Sequence, residues 1–116
     1  MPFTVENGTG VTGANSYVSV AYADAYFTDR ANGAWAANEN KEGCLISATD
    51  YIEKVFARRF IGEMANAAFS LSWPRNGADP YASNVIPDRL MKAACEYALR
   101  AINGKLMPDP VYQDSG

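Results

Sequence analysis

The spacing of apolar positions along the chain predicts three helices. Val20, Ala23, Phe27 and Ala31 recur at intervals of three and four while Asp24, Asp29 and Arg30 fall on other faces, and Ser19 offers an N-cap hydroxyl. This pattern predicts a helix over about 20–31, stopped by Asn32-Gly33. A longer stripe follows through Leu45, Ala48, Thr49, Ile52, Val55, Phe56 and Phe60, with Glu42, Asp50, Glu53, Lys54 and Arg58 mostly outside it. It predicts a second helix over about 39–59, its start blurred by Gly43, which costs about 1 kcal/mol relative to alanine inside a helix. The third helix has the clearest boundaries. Pro87 suits a first helical position, Asp88 complements the positive end, and Asn103-Gly104 ends the pattern with Pro108 beyond. Its apolar positions Leu90, Ala94, Tyr97, Ala98, Ala101 and Ile102 are mostly small, which lets a neighbouring helix of this chain or of another copy come close.

The stretches between and around these helices read differently. The first eighteen residues, with Asn7-Gly8-Thr9-Gly10 and Gly13-Ala14-Asn15, predict an extended or turning lead-in. Between the second and third helices, Phe69, Leu71 and Trp73 alternate strictly before the turn residues Pro74-Arg75-Asn76-Gly77. A brief strand is expected there, paired with the lead-in through Phe3-Thr4-Val5 or Tyr17-Val18. After Gly104, prolines 108 and 110 exclude a continuing helix, and 105–116 reads as a mobile arm or docking peptide. The fold class expected is mainly α: a small domain of three or more helices over 1–104, with an extended N-terminal segment and one short β pair.

At 116 residues, 48% hydrophobic and 20% charged, the chain has the size and balance of one domain. Area scaling leaves about two-thirds of the open chain's surface buried, enough for a modest core. No apolar run approaches the ~20 residues that cross a bilayer, and the start Met1-Pro2-Phe3-Thr4-Val5-Glu6 has neither the basic nor the apolar stretch of a signal peptide. A soluble, cytoplasmic chain is the expectation. The absence of histidine removes Ser-His-Asp and Cys-His relays and His-containing zinc sites within one chain. Cys44 and Cys95 form no Cys-x-x-Cys pair and lie among apolar residues, so two buried thiols are expected. The acids Asp24, Asp29, Asp50, Glu53, Asp88 and Glu96 show no spacing that selects acid/base or magnesium chemistry, and Gly8-Thr9-Gly10 lacks the context of a phosphate loop. Neither an enzyme nor a cofactor is expected.

Thirteen acids against ten bases give a net charge of −3, a poor platform for wrapping nucleic acid. Among the bases only Lys54, Arg58 and Arg59 are dense. They read either as a cationic last turn favoured by the helix dipole or, together with Arg75, as a phosphate-contact patch. No stripe of alternating basic and aromatic residues is visible along the chain. Most of the fourteen aromatic residues fall on apolar stripes and read as core. Tyr22, Tyr81 and Tyr112 fall off the stripes or in loops and are candidates for a protein interface, where tyrosine is enriched, at least as much as for stacking on bases.

Several runs carry a family resemblance: Asn15-Ser16-Tyr17-Val18-Ser19-Val20-Ala21-Tyr22-Ala23-Asp24-Ala25-Tyr26-Phe27, Leu45-Ile46-Ser47-Ala48-Thr49-Asp50-Tyr51-Ile52, Trp73-Pro74-Arg75, and Ile86-Pro87 leading to Ala94-Cys95-Glu96-Tyr97-Ala98-Leu99. In order and spacing they resemble small proteins of tailed bacteriophages and prophages that are often labelled DnaT-like single-stranded-DNA-binding proteins. Their pattern is similar to that of siphophage head–tail connector, or head-completion, proteins. The connector resemblance implies a structural virion protein at the head–tail interface, made in the bacterial host cytoplasm. Its subunits would assemble as a ring, commonly twelvefold, between portal and tail or stopper proteins, with DNA passing the lumen without specific binding and no membrane involved. Trp73, Pro74 and Arg75 would fix the central loop, Arg75 pairing with a neighbour's carboxylate, or Trp73 would close the subunit's own core. Met107, Val111 and Tyr112 of the arm would contact portal or connector. The DnaT-like label implies instead binding of single strands, with Lys54, Arg58, Arg59 and Arg75 on phosphates. The net charge favours the connector.

Overall fold

In a computed structural model of the chain, residues 2–66, 69–78, 80–104 and 106 are described. The elements run α1 (Val20–Asp29), α2 (Gly33–Ala36), α3 (Lys41–Phe56), a 3-10 turn (Ala57–Arg59), β1 (Glu63–Met64), β2 (Arg75–Asn76) and α4 (Asp88–Ala101). The fold is mainly α with one two-stranded antiparallel sheet, Met64 opposite Arg75.

Helix α1 begins where the hydroxyl of Ser19 accepts from Tyr22 N–H, and ends at Asp29, two residues before its expected limit. Four-residue α2 is capped by the Asn32 side chain, which accepts from Trp35 N–H. The sequence pattern does not reveal it, because one turn is too short to display a helical period. Helix α3 gives up its regular geometry at Phe56, and Ala57–Arg59 tighten into the 3-10 turn.

The core lies between α3 and α4, the most extensive helix pair. Leu45, Ala48, Thr49 and Ile52 of α3 and Leu90, Ala94, Cys95 and Ala98 of α4 are buried. Ala94, Cys95 and Ala98 are fully enclosed, so the small-residue face of α4 is occupied inside the subunit and is closed to a second copy. Helix α1 lays Ala23 and Phe27 onto this pair. Its Tyr22 hydroxyl donates to Asp88 at 3.1 Å and its Tyr26 hydroxyl donates to Glu96, tying α1 to α4. Trp35 stacks at 5.0 Å from Phe27 and donates its indole N–H to Asp24, which also pairs with Lys41 at 3.0 Å, so one carboxylate joins α1, α2 and α3. Both cysteines are buried free thiols.

The strand pairing differs from expectation. Residues 69–73 form no strand, and the lead-in makes only a single parallel bridge, Val5 to Ser16. The observed sheet closes within the α3–α4 connection itself. Gly62 permits it: its φ is +74°, and a Cβ there would lie 1.9 Å from the Asn76 carbonyl oxygen. The alternation of 69–73 instead reflects inward packing of Leu71 and Trp73. The lead-in folds around its own carboxylate. Buried Glu6 accepts from Gly8 N–H and Gly10 N–H with one oxygen (2.9 and 2.8 Å) and from Val11 N–H with the other (2.9 Å).

Candidate nucleic-acid interface

A second, half-buried carboxylate positions the α3–α4 connection. Glu53 of α3 accepts from Ser72 N–H (3.0 Å), Ser72 hydroxyl (2.7 Å) and the Tyr17 hydroxyl, while Trp73 N–H donates to the Tyr17 oxygen at 3.3 Å. Burial first, and the neighbouring Glu53 charge second, push the Tyr17 phenol far above its usual value, so it remains a donor. Trp73, followed by a cis bond to Pro74, is thereby held between Phe60 (5.5 Å between ring centroids) and Tyr81 (6.2 Å), both edge-on.

Arg75 completes this framework from within. It is 8% exposed and donates to the carbonyls of Ile61 (2.8 Å), Gly62 (2.8 Å) and Ser72 (3.1 Å). Its guanidinium lies 5.8 Å from the Phe60 ring centroid and 5.9 Å from that of Trp73. This corrects the expectation that Arg75 meets a neighbour's carboxylate or a phosphate. The residue ties residues 61–62 to 72, because a planar fork of donors can satisfy several loop carbonyls at once.

The other bases divide into engaged and free. Lys41 pairs with Asp24, Lys92 with Asp88 at 3.1 Å, and Arg30 covers the Tyr26 ring at 3.6 Å. Lys54, Arg58, Arg59, Arg89 and Arg100 are exposed and form no close salt bridge among the described residues, although Lys54 acts on the Asp50 carboxyl one turn back. Three of these free arginines alternate with half-buried aromatic rings. Arg100 lies 5.5 Å from the Tyr97 centroid, Tyr97 is 4.8 Å from Tyr51, Tyr51 is 6.4 Å from Phe56, and Arg59 lies 6.0 Å from Phe56. Arg59 then joins Arg89 in flanking a groove of about 350 Å³ lined by Phe60, Trp73, Tyr81 and Leu90. Lys54 and Arg58 are exposed on the same turns of chain that carry Phe56 and Arg59.

The alternation of base and aromatic ring that is missing along the sequence is therefore built in space, from α3, the 3-10 turn, the connection and α4. Sequence reading passed over Tyr51, Tyr97, Arg89 and Arg100 because each is unremarkable on its own helix. No linear signal marks them: Arg89 directly follows Asp88 and Arg100 stands four residues after Glu96. Of the other sequence candidates, Tyr22 is half-buried and hydrogen-bonded to Asp88, and Tyr81 lines the groove. Met107, Val111 and Tyr112 lie outside the described residues. Among the described residues no three of Cys, Asp and Glu cluster as metal ligands, and no helix is long and apolar enough to cross a membrane.

Comparison with known proteins gives one family. Residues 1–115 match the family described as "Putative DnaT-like ssDNA binding protein", and the chain belongs to it. No curated protein and no solved structure matches.

Proposed function

We propose that this protein binds single-stranded DNA along the band that runs from Arg100 through Tyr97, Tyr51, Phe56 and Arg59 to the groove at Arg89. The single observation that carries this reading is the alternation of unpaired arginines with half-buried rings across four separate segments. Single strands are held by exactly these two elements, cations tracking the phosphates and ring faces stacking on bases without regard to sequence. Family membership supports the same reading. The net charge of −3 does not oppose it once the charges are located: Lys41 and Lys92 neutralise acids on α1 and α4, while Lys54, Arg58, Arg59, Arg89 and Arg100 stand on the segments of the band.

The test is the salt dependence of binding to a labelled oligonucleotide. If Lys54, Arg58, Arg59, Arg89 and Arg100 each neutralise one phosphate, log K falls with log salt at a slope of about 3.5, at about 0.7 per phosphate. Affinity should then drop roughly a hundredfold between 50 and 200 mM salt. Absent or salt-independent binding sinks the reading.

A second reading, the head–tail connector, draws on a different surface. A groove of about 490 Å³ is lined by Val5, Tyr22, Val85, Ile86 and Met91, with Val85 40% exposed, and apolar surface of this kind fits a protein partner. On that reading the chain is a structural subunit of a ring between phage portal and tail or stopper proteins, with no chemistry and no cofactor. A ring-sized mass by light scattering, without DNA binding, would favour it.

A further inference from the structure

The band ends beside the C-terminus of α4 in a cavity of about 240 Å³, lined by Tyr51 of α3, by Tyr97 and Arg100 of α4, and by Asn103 and Leu106 beyond it. The two tyrosine rings are half-buried, 4.8 Å apart between centroids and tilted by 51°, so they form a wedge rather than a flat platform. The exposed Arg100 guanidinium lies 5.5 Å from the Tyr97 centroid. Among the described residues, neither Arg100 nor Asn103 gives its side chain to a hydrogen bond or a close salt bridge. Donors and acceptors therefore meet at one aromatic surface. Arg100 offers a planar fork of donors, and Asn103 an amide that accepts as well as donates. The end of α4 adds about half an elementary negative charge through its last carbonyls. A phosphate inside the cavity would face that negative end, whereas a neutral ring with acceptors on one edge and donors on the next meets both kinds of group.

We propose that this cavity is a base-reading subsite of the bound strand and takes a guanine. The ring enters the wedge of Tyr51 and Tyr97, its O6 and N7 accept from the Arg100 guanidinium, and its N1–H and 2-amino group donate toward the Asn103 amide and the helix end. Among the four bases, guanine carries two adjacent acceptors on the edge that holds N7, the pair a guanidinium fork matches. On the corresponding edge adenine sets one acceptor beside a donor, thymine offers one carbonyl oxygen and cytosine a donor. The inference rests on the single-strand reading and adds a register to it: stacking on the other rings of the band tolerates any base, whereas the cavity selects one.

The experiment titrates dT12, and the same strand with one central deoxyguanosine, onto the wild-type chain and onto Arg100→Lys, which keeps the charge of an exposed side chain but loses the fork. The wild type should bind the guanine strand about tenfold more tightly at about 150 mM salt, and Arg100→Lys should bind the two strands alike. A strand carrying 7-deazaguanine, which lacks the N7 acceptor, should lose most of that gain on the wild type. Because the guanine takes Arg100 away from a phosphate, the guanine strand should also show a salt slope about 0.7 smaller than dT12. Dimethyl sulfate gives a readout independent of affinity: the guanine N7 should be protected from methylation in the wild-type complex and open to it in the complex with Arg100→Lys. Equal, salt-sensitive binding of the two strands by the wild type, or a guanine preference that survives in Arg100→Lys, would overturn the subsite and leave single-strand binding standing. No binding of either strand would remove both.

Discussion

Replacing Arg75 separates its two possible roles. In Arg75→Ala, three hydrogen bonds from a charged donor to loop carbonyls are lost, those of Ile61, Gly62 and Ser72 at 2.8, 2.8 and 3.1 Å. Bonds of this type contribute about 1.5–3 kcal/mol each. The sum must be discounted, because water reaches part of the space vacated and the guanidinium no longer has to be desolvated, and a net loss of about 3 kcal/mol is expected. Against a total stability of ~5–15 kcal/mol this is large. With a urea m-value of about 1.5 kcal/mol per M, the unfolding midpoint should fall by about 2 M. Arg75→Lys keeps the charge but not the fork, and should lose roughly half as much. Urea titration followed by far-UV circular dichroism measures both. Had Arg75 been a phosphate contact, Arg75→Ala would leave the midpoint in place and lower the salt slope of DNA binding by about 0.7. A midpoint shift below about 0.5 M would refute the structural role assigned here.

Other expectations follow from the same geometry. The double substitution Arg59→Ala/Arg89→Ala removes two exposed, unpaired cations and should reduce the salt slope by about 1.4 while leaving the urea midpoint within about 0.5 M; an unchanged slope would place the DNA elsewhere. Glu6→Ala strips three backbone N–H groups of their acceptor and should cost about 2–4 kcal/mol, with the lead-in becoming the first site of proteolysis. Burial, with the Glu96 charge adding to it, pushes the Cys95 thiol up to about 12 from an ordinary 9.0, so Cys95 should resist a thiol reagent at pH 8 until the chain unfolds. Because the folded state holds that proton more tightly than the unfolded one, its contribution is fully present below about pH 9 and is lost as pH rises toward 12; thermal midpoints measured from pH 8 to 12 should decline across that window.

The helices were legible because their signals are local. Ser19 and Asn103-Gly104 bracket apolar repeats of period 3.6, and Pro87 before Asp88 announces α4, so α1, α3 and α4 appear within a few residues of where the spacing puts them. The α3–α4 connection was not legible. Its sheet pairs Glu63 with Asn76 across thirteen positions, its shape depends on Gly62 approaching the Asn76 carbonyl, and its anchor is the Glu53 carboxylate of another element. A two-residue strand has no period to detect, and an alternation such as Phe69, Leu71 and Trp73 marks inward packing as readily as pairing.

By itself the sequence determined a mainly helical chain, two enclosed thiols, the absence of histidine chemistry and the net charge, since each follows from composition or from neighbours within a few positions. Which bases are free, and what lies beside them, only the tertiary structure decided. Ten bases look alike in a sequence, but Arg75 is committed to three carbonyls and Lys41 and Lys92 to carboxylates, while among the described residues Arg59 and Arg100 stand over neighbouring rings and Arg89 beside the groove, none in a close salt bridge. The physical reason is range. Helical periodicity is set by bonds between residues four apart, whereas the alternation of arginine and ring at this surface joins residues 51, 59, 73, 89 and 100, brought together only by burial of the α3–α4 core.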